Sequence, residues 1–405
     1  MAKRKTIYLD NAGTTPMDTR VERVVLKHMR ESWGNASSVH DVGRQARGVI
    51  DDSRKRVARV LGVKSEEMIF TGSGTESDNL AIFGVARAYK TRQNFSKKNL
   101  GGLRGHIVTT RIEHPAVLRA CQYLEKKEGF KITYIGVDKN GIVNPADIAK
   151  ALRSDTILVS IMYANNEIGT VQPIVEISKA IKNFRQNLKT KTHNLKHFFH
   201  VDACQAAGAL NLNVNQLGVD LMTLNGSKIY GPKGTGCLYV RRGVELVPQI
   251  VGGSQERGLR AGTENPALIA GFAKALELAD ENKKKESTRL IELRDYMIGQ
   301  ILKTIPGSHL NGDAVRRLPN NINISFENID GEMLMLALDQ GGIQVSTGSA
   351  CTSTSTEPSH ALKALGLSDE LAKGNIRITL GRQTMKKDID YVLKTLVSLV
   401  KKLRK

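Results

Sequence analysis

Lys228 is the side chain in this sequence whose surroundings best suit a nucleophile. It lies between two short apolar runs of strand length, residues 219–224 and 236–240, and glycines and a proline punctuate the chain between them. A lysine held between buried strands is partly desolvated, which lowers the pKa of its amine and makes it able to form a Schiff base. The same residues taken alone also fit a lysine in a surface turn, so the neighbouring motifs decide between the two.

A second candidate is the glycine-rich turn around Gly74. Residues 68–70 are predicted to end a strand, and residues 71–77 open a helix that we expect over 78–89. A strand, a glycine-rich turn and a helix start form a phosphate cradle, because free backbone N–H groups and the helix dipole both favour an anion. Such turns are also common without any ligand, so this one does not establish a phosphate site alone.

Other polar side chains follow predicted strands directly. Asp202 ends an apolar strand, and a buried carboxylate is costly unless it has a cationic or hydrogen-bonding partner, such as a protonated pyridine nitrogen or the helix that it caps. His114 suits stacking on a planar ring, proton transfer or a purely structural role. Because ligands of parallel sheets bind at the carboxyl ends of the strands, Thr75, Asn165 and Lys228 are expected at the same edge.

The order of elements predicts an α/β protein with a mostly parallel sheet and helices on both faces. From about residue 266 the pattern changes to one long amphipathic helix followed by mixed strands and helices. We expect a large domain over residues 16–265 and a smaller α+β domain formed by residues 1–15 and 266–405. The predicted strands are 7–11, 68–70, 107–110, 132–135, 156–161, 198–201, 322–326, 343–345 and 376–380, and the predicted helices are 19–30, 44–61, 78–89, 116–127, 145–152, 174–184, 266–302, 330–338 and 360–365, with one more at the C-terminus.

Length and composition limit the class of protein. A chain of 405 residues suits two domains, and 40% hydrophobic with 25% charged residues excludes wholesale disorder. The net charge of +20 favours an acidic partner, whether an acidic protein, an RNA or an anionic cofactor. No apolar segment has the length of a signal peptide or a membrane span, so we expect no membrane association.

The cysteines are far apart in the sequence. Their spacing argues against a cysteine zinc site and a disulfide framework, and it favours reduced thiols in a cytoplasm. They are Cys121, Cys204, Cys237 and Cys351.

Two stretches contain no acidic residue. Residues 87–106 carry six Lys or Arg and residues 182–199 carry five. Both are expected to form exposed basic loops that interrupt the alternation of strands and helices. We favour the interpretation that these loops are solvated extensions of the surface over the interpretation that they form a binding patch.

Taken in order, these motifs resemble the pyridoxal 5′-phosphate (PLP) enzymes of the class V aminotransferase family, and within it the cysteine desulfurases of the NifS/IscS type. The resemblance implies the fold of the aspartate-aminotransferase-like PLP-dependent transferases, and it runs nearly end to end. It is carried by YLDNA (8–12), GTESDNL (74–80), EH (113–114), NNEIG (165–169), HVDACQ (200–205), KIYGPKG (228–234), RAGT (260–263), SACTS (349–353) and IR (376–377).

The resemblance implies a cofactor site. Lys228 would hold PLP covalently and move protons at the substrate α-carbon, and Asp202 would pair with the pyridinium nitrogen. His114 would stack on the ring and act as an acid and base, while Gln205 would bond the phenolic oxygen. The other implied cofactor contacts are Gly74, Thr75, Asn165, Asn225, Ser227 and, from a second subunit, Thr263.

The resemblance also implies how the substrate is held and attacked. Arg377 would bind the carboxylate of L-cysteine through its planar fork, with Asn165 and Asn35 assisting. The thiolate of Cys351 would attack the substrate sulfur, leaving a persulfide and alanine. The small residues of 346–356 suit a mobile arm, and Cys351 is where a persulfide or a transient iron–sulfur cluster would form; no other metal site is expected.

One departure from the family pattern concerns the phosphate. Family members often have Ser-Gly-His-Lys, whereas this chain has Asn225, Gly226, Ser227 and Lys228. Amide and hydroxyl groups remain as donors, but the imidazole is absent, which would lower the affinity for the cofactor.

The leading hypothesis is a cytoplasmic, homodimeric L-cysteine desulfurase that gives sulfur to an iron–sulfur scaffold protein or a tRNA-thiolation acceptor. A selenocysteine lyase or related lyase on the same fold is the first alternative, and there Cys351 is less essential. A basic platform for RNA or an acidic protein is the second, and it predicts steep salt dependence of nucleic-acid binding. An enzyme is favoured because the lysine, aspartate, histidine, arginine and loop cysteine are all present, and direct nucleic-acid binding is not expected.

Overall fold

The computed structural model of the protein describes residues 6–95, 105–187, 197–348 and 358–404. Cys351 and the centres of both predicted basic loops lie outside these residues. The described strands are β1 (Ile7–Tyr8), β2 (Met68–Thr71), β3 (His106–Thr110), β4 (Lys131–Ile135), β5 (Thr156–Met162), β6 (Phe198–Asp202), β7 (Leu221–Asn225), β8 (Gly236–Val240), β9 (Ser308–Leu310), β10 (Asn321–Phe326), β11 (Ile343–Gln344) and β12 (Asn375–Thr379). The described helices are α1 (Thr19–Glu31), α2 (Asp41–Leu61), α3 (Gly74–Phe95), α4 (Pro115–Tyr123), α5 (Pro145–Ala151), α6 (Ile174–Asn187), α7 (Val214–Leu217), α8 (Pro266–Thr304), α9 (Gly331–Gln340), α10 (His360–Ala364), α11 (Asp369–Lys373) and α12 (Lys386–Leu403).

The largest sheet in the described chain has seven strands in the order β2-β8-β7-β6-β5-β3-β4. Strands β3 to β7 pair in parallel, whereas β8 runs antiparallel to both β7 and β2. The predicted α/β fold with a mostly parallel sheet is confirmed. Because parallel strands end at one edge, the residues that follow β3, β5, β6 and β7 meet there.

Helices cover both faces of this sheet. On one face, Val25 of α1, Ile50 of α2 and Phe272 of α8 share a core with the sheet. On the other face, Leu80 of α3 and Val117 of α4 complete a second core. Strand β5 is buried along its whole length, as expected for a central strand covered on both sides.

A smaller assembly contains the antiparallel sheet β12-β10-β9 and the parallel pair β1-β11. Its core includes Met297 of α8, Leu334 of α9 and Leu396 of α12. The 39-residue helix α8 therefore belongs to both cores, with Phe272 in the first and Met297 in the second. The boundary expected between residues 265 and 266 stays a prediction. None of the described helices combines the length and apolarity that a membrane span requires.

The predicted extent of the two basic loops was wrong at their edges. Helix α3 continues to Phe95 and α6 continues to Asn187, so both helices enter the acid-free stretches. The cations there find acids on other elements: Arg87 donates to Glu128 at 2.8 Å, and Arg185 donates to Asp220 at 2.9 Å. The absence of local acids therefore did not predict a loop.

The edge strand β2 is held by a buried ion pair. Arg54 of α2 makes two hydrogen bonds of 2.7 Å to Glu256, and it also donates to the carbonyl oxygen of Met68 at 2.7 Å. Glu256 in turn accepts the N–H of Phe70 at 3.0 Å. Both charged side chains are buried, so each needs the other. The pair fixes the strand that leads into the glycine-rich turn.

We expect Arg54→Ala to lower the free energy of unfolding by about 3 kcal/mol or more, because it leaves the Glu256 carboxylate buried without its partner. Urea unfolding of the cofactor-free protein, followed by circular dichroism, measures this. The control is Lys27→Ala, which removes an exposed pair with Glu31 and should change stability by less than about 0.5 kcal/mol. Equal stability of the two variants would contradict the role given to Arg54.

Candidate active site

A cavity of about 230 Å³ lies where the parallel strands end. Its wall combines residues at or just after the ends of β2, β3, β5, β6 and β7 with Ala12, Gly13, His360 of α10 and Arg377 of β12. The structure brings eight of the predicted site residues together around it: Gly74, Thr75, His114, Asp202, Gln205, Asn225, Lys228 and Arg377.

Lys228 ends a single 3₁₀ turn, Gly226–Lys228, that directly follows β7. The Thr15 side chain and backbone hold this turn, since its N–H and hydroxyl donate to the Ser227 carbonyl oxygen at 2.9 and 3.0 Å. The ammonium of Lys228 donates to the carbonyl oxygen of Gly13 at 2.5 Å. The lysine is therefore placed by the N-terminal segment as well as by the sheet.

Asp202 is the last residue of β6 and is only 7% exposed. Its Oδ1 accepts the N–H of Cys204 at 2.9 Å. Burial and the charge of Asp202 raise the pKa of the nearby Asp78 well above its usual range, and burial raises the pKa of Glu113 to about 8. Burial thus disfavours a negative charge on either neighbour, and Glu113 holds its proton at neutral pH.

A buried chain of hydrogen bonds lies behind Asp202. His200 contacts the Ser160 hydroxyl through Nδ1 at 2.8 Å and the Thr223 hydroxyl through Nε2 at 3.0 Å. Burial lowers the pKa of His200 to about 4, so the ring is neutral at neutral pH. These contacts give both ring nitrogens of His200 a hydroxyl partner and hold the ring in one orientation.

His114 is the N-cap of α4, and Pro115 follows it at the first helical position. Its Nδ1 accepts the N–H of Ala116 at 3.1 Å. Burial lowers the pKa of His114, although Asp202 opposes the shift. A neutral ring whose Nδ1 is an acceptor carries its proton on Nε2, so Nε2 is the atom that can exchange a proton with a ligand.

The glycine-rich turn delivers the N-terminus of a long helix to the cavity. The helix begins at Gly74 and not near residue 78, so the predicted start was four residues late. Ser73 Oγ accepts the Glu76 N–H at 3.1 Å, and Glu76 accepts the Gly72 N–H at 2.8 Å; this local capping explains the earlier start. A Cβ atom on Gly74 would lie 2.6 Å from Cys204 Sγ, so only glycine fits.

Arg377 reaches the cavity from β12. Its Nη2 donates to Asp10 at 2.7 Å and its Nη1 donates to the carbonyl oxygen of Asn166 at 3.2 Å. Its Nε is buried and has no hydrogen-bond partner among the described residues. The guanidinium thus lines the cavity with donor capacity for a carboxylate.

Asn165 and Ser227 lie beside the cavity, but the described lining does not include them. Asn165 is turned into the protein, where Nδ2 donates to the Ile112 carbonyl oxygen at 2.9 Å and Oδ1 accepts the Glu167 N–H at 2.8 Å. Ser227 Oγ donates to Asn225 Oδ1 at 3.1 Å. Both side chains thus support neighbours that do line the cavity.

Asn35 and Thr263 are exposed and lie outside the lining. Asn35 Oδ1 accepts the N–H of Ser37 at 2.9 Å, within its own loop. The structure therefore does not bring these two residues to the cavity of their own chain.

Sequence reasoning missed several residues that line the cavity. Some of them belong to the motifs quoted above and others do not, and nothing local indicated that the chain would fold them inward. They are Ala12, Gly13, Asp78, Pro115, Met162, Ala164, Asn166, Glu167, Cys204 and His360.

The side chains present fit PLP. The N-terminus of α3, which begins at Gly74, suits a phosphate. Asn225 Nδ2 is close to it, since it would lie 3.3 Å from a Cβ on Gly74. Asp202 suits a pyridinium nitrogen, Lys228 suits an aldehyde carbon and His114 suits the ring face. No cluster of three His, Cys, Asp or Glu side chains that could hold a metal ion occurs in the described ranges.

We expect Glu113→Gln to flatten the pH dependence of stability. The buried Glu113 carboxyl has a pKa of about 8 against an ordinary 4.5, so between these values the folded state keeps a proton that the unfolded state has released. Stability therefore falls as the pH rises, by up to about 1.4 kcal/mol per pH unit, and the glutamine variant lacks this loss.

Urea midpoints of the cofactor-free protein between about pH 5 and pH 8 provide the measurement, with the exposed Glu31→Gln as the control. Parallel pH profiles for the wild type and Glu113→Gln would show that Glu113 is ionised in the folded state.

Comparisons with known proteins agree with this geometry. Residues 7–392 match the model of the family described as aminotransferase class-V. A cysteine desulfurase IscS of Dictyoglomus turgidum is 48% identical, over 99% of this chain and 96% of the relative, and one of Methanosarcina thermophila is 45% identical, over 99% and 94%. A solved NifS-like protein superposes with a TM-score of 0.87 at 36% identity, over 98% of this chain and all of the other. The chain belongs to the class V aminotransferase family and, within it, to the cysteine desulfurases.

Proposed function

We propose that this protein is a PLP-dependent cysteine desulfurase that converts L-cysteine to L-alanine and passes the sulfur to an acceptor through a persulfide on Cys351. The observation that carries the proposal is the meeting of Lys228, Asp202, His114 and Arg377 around one cavity. An amine, a carboxylate, an imidazole and a guanidinium in this arrangement are what PLP and an amino-acid substrate require.

The residues around the ring divide the proton chemistry. PLP, when bound, supplies an electron sink for the bonds at the substrate carbons. Lys228 holds the cofactor and then moves the proton at the α-carbon, while Asp202 keeps the ring nitrogen protonated. His114 offers its Nε2 proton from the ring face, and Gln205, whose Nε2 donates to the Ala12 carbonyl oxygen at 3.0 Å, is held toward the phenolic oxygen.

The phosphate is assigned to the start of α3. Backbone N–H groups at Gly74 and the hydroxyl of Thr75 are the first donors, and the helix dipole adds to them. Asn225 Nδ2 is close to the same turn, and Ser227 orients the Asn225 amide through its hydroxyl. This arrangement replaces the serine and histidine that the family often has.

Arg377 is assigned to the substrate carboxylate. Its contacts with Asp10 and with the Asn166 carbonyl oxygen aim the guanidinium into the cavity. Asn165 assists by fixing the turn that presents Asn166, and the role of Asn35 stays a prediction. The guanidinium is only 3% exposed and pairs with Asp10, and its buried Nε remains as a donor for the substrate carboxylate.

Cys351 carries the sulfur. Its thiolate attacks the sulfur atom of bound L-cysteine, so an S–S bond forms while the substrate C–S bond breaks. The electron pair of the broken bond stays with the substrate carbon, which takes up a proton and leaves as alanine. The enzyme keeps a persulfide whose outer sulfur an acceptor thiol can remove.

We expect Cys351→Ala to bind PLP with the yellow colour of the wild type and to release neither sulfide nor alanine from L-cysteine. With an added thiol such as dithiothreitol to reduce the persulfide, the wild type should release both in equal amounts, and Lys228→Ala should lack the lysine-linked absorbance. A Cys351→Ala variant that still releases alanine from L-cysteine, or from L-selenocysteine alone, would favour the lyase alternative. A colourless and inert wild type would contradict an enzyme altogether.

A second subunit would complete the phosphate site through Thr263. Large apolar side chains near this loop are exposed, with Trp33 at 73%, Val39 at 86% and Val251 at 85%. Arg47 links the loop that contains Ala36 with the loop that contains Thr263, since its Nε donates to the Ala36 carbonyl oxygen at 3.1 Å and its Nη1 lies 4.0 Å from Glu264. Thr263 lies outside the cavity of its own chain, and exposed apolar side chains surround it. This arrangement supports a homodimer.

We expect Thr263→Ala to raise the dissociation constant of PLP about tenfold or more, because one hydrogen bond to a charged group is lost. Dimers mixed from Thr263→Ala and Lys228→Ala chains test which subunit supplies the threonine. In the mixed dimer the chain that retains Lys228 receives an intact Thr263 from its partner. The PLP dissociation constant measured from its lysine-linked absorbance should therefore return to the wild-type value. No recovery would mean that Thr263 acts within its own chain or not at all.

The acceptor is assigned by its chemistry as a protein thiol, either on an iron–sulfur scaffold or in tRNA thiolation. The net charge of +20 favours an acidic acceptor. Persulfide chemistry needs a reduced thiol, which supports a cytoplasmic location, and the described cysteines Cys121, Cys204 and Cys237 are unpaired.

A further inference from the structure

The carboxyl group of Glu167 contacts both ends of the segment that carries Cys351, which we call the cysteine segment (residues 349–357). On one side, a Cβ atom on Gly348 would lie 2.6 Å from Glu167 Oε2. On the other side, the hydroxyl of Ser359 donates a short hydrogen bond to the same oxygen. The chain therefore leaves and returns at one carboxyl group.

The two ends also touch each other. A Cβ atom on Gly348 would lie 3.2 Å from the Cβ of Ser359. Ser359 is the N-cap of α10, and its hydroxyl accepts the N–H groups of Ala361 at 3.2 Å and Leu362 at 3.3 Å. The next residue, His360, contacts the carbonyl oxygen of Glu113 through Nε2 at 2.9 Å. The return of the chain is thus anchored to the cavity wall.

Glu167 is itself held firmly. Its N–H donates to Asn165 Oδ1 at 2.8 Å, and its carbonyl oxygen accepts the side-chain amides of Asn321 at 3.0 Å and Asn323 at 3.1 Å. The residue is 3% exposed and lines the cavity. Burial raises the pKa of its carboxyl, an effect that the Ser359 hydroxyl and the charge of Arg377 oppose.

We propose that Glu167 is a positioning residue for sulfur transfer: its carboxyl group holds Gly348 and Ser359, which lie on either side of the cysteine segment, against the wall that contains Arg377. This inference rests on the proposed function. A misplacement of about 1 Å in a reacting group costs on the order of a hundredfold in rate, so anchoring the ends has kinetic consequences.

The test separates two steps of the reaction. Binding of L-cysteine is followed by the absorbance change of the bound cofactor, and persulfide formation on Cys351 is followed by rapid quenching and mass spectrometry. We expect Glu167→Ala to slow persulfide formation at least tenfold, which corresponds to about 1.4 kcal/mol, and by a larger factor than it weakens the absorbance change. Glu167→Gln keeps an oxygen for Ser359 and should recover most of the rate.

The Gly348→Ala variant provides an independent test. Its methyl group would collide with Glu167 Oε2, so we expect the same slow step. In the Glu167→Ala background that oxygen is absent, and the added methyl group should cost less than it does alone. Gly136→Ala is the matched control, because a Cβ there meets nothing within 4 Å.

Two results would overturn the inference. Persulfide formation at the wild-type rate in Glu167→Ala would show that the anchor is dispensable. Equal losses of both steps, with a lowered unfolding midpoint and no recovery in Glu167→Gln, would show a general structural role. A wild type that forms no persulfide would instead remove the proposed function on which the inference rests.

Discussion

The buried carboxylate of Asp202 is the charge around which the cavity is arranged. An ionised acid at the end of a covered strand is stable only if the neighbouring groups do not compete with it. Burial raises the pKa values of Asp78 and Glu113, and it lowers those of His200 and His114. These shifts disfavour a second negative charge, or a positively charged imidazole, beside Asp202.

The N-terminal segment 10–13 connects the cavity with the smaller antiparallel sheet. Gly13 and Ala12 offer carbonyl oxygens to Lys228 and Gln205, and Asp10 pairs with Arg377. The same segment bonds to β12, since the Ala12 N–H donates to the hydroxyl of Thr379 at 2.9 Å. A Cβ on Gly13 would lie 2.5 Å from Asp10 Oδ2, so a glycine is needed for this close passage. One short segment thus places three groups of the site.

The sequence allowed much of the fold to be predicted, because long periodic elements depend on local patterns. The alternation of strands and helices gave the parallel sheet, and strand ends placed His114, Asp202 and Lys228 at one edge. Short elements such as β9 and α11 were missed, since their few residues form little pattern of their own. Their position follows from packing on neighbours distant in sequence.

The site was predictable where a motif sits at a strand end and not where contacts are long-range. Asp78 looks like an ordinary helical residue until the chain folds it beside Asp202. Glu167 and Ser359 are 192 residues apart, and no local pattern indicates that they meet. Asn165 is turned inward because the Ile112 carbonyl oxygen needs a donor, which only the folded chain reveals.

The turn that follows β5 connects Arg377 with the residues on either side of the cysteine segment. Asn165 Oδ1 fixes the turn by accepting backbone N–H groups, the Asn166 carbonyl oxygen holds Arg377, and the Glu167 carboxyl holds Gly348 and Ser359. The carboxylate and the sulfur of one cysteine molecule are only a few bonds apart. In the proposed reaction the groups that bind the first and attack the second must be positioned together, and this one turn contacts Arg377, Gly348 and Ser359.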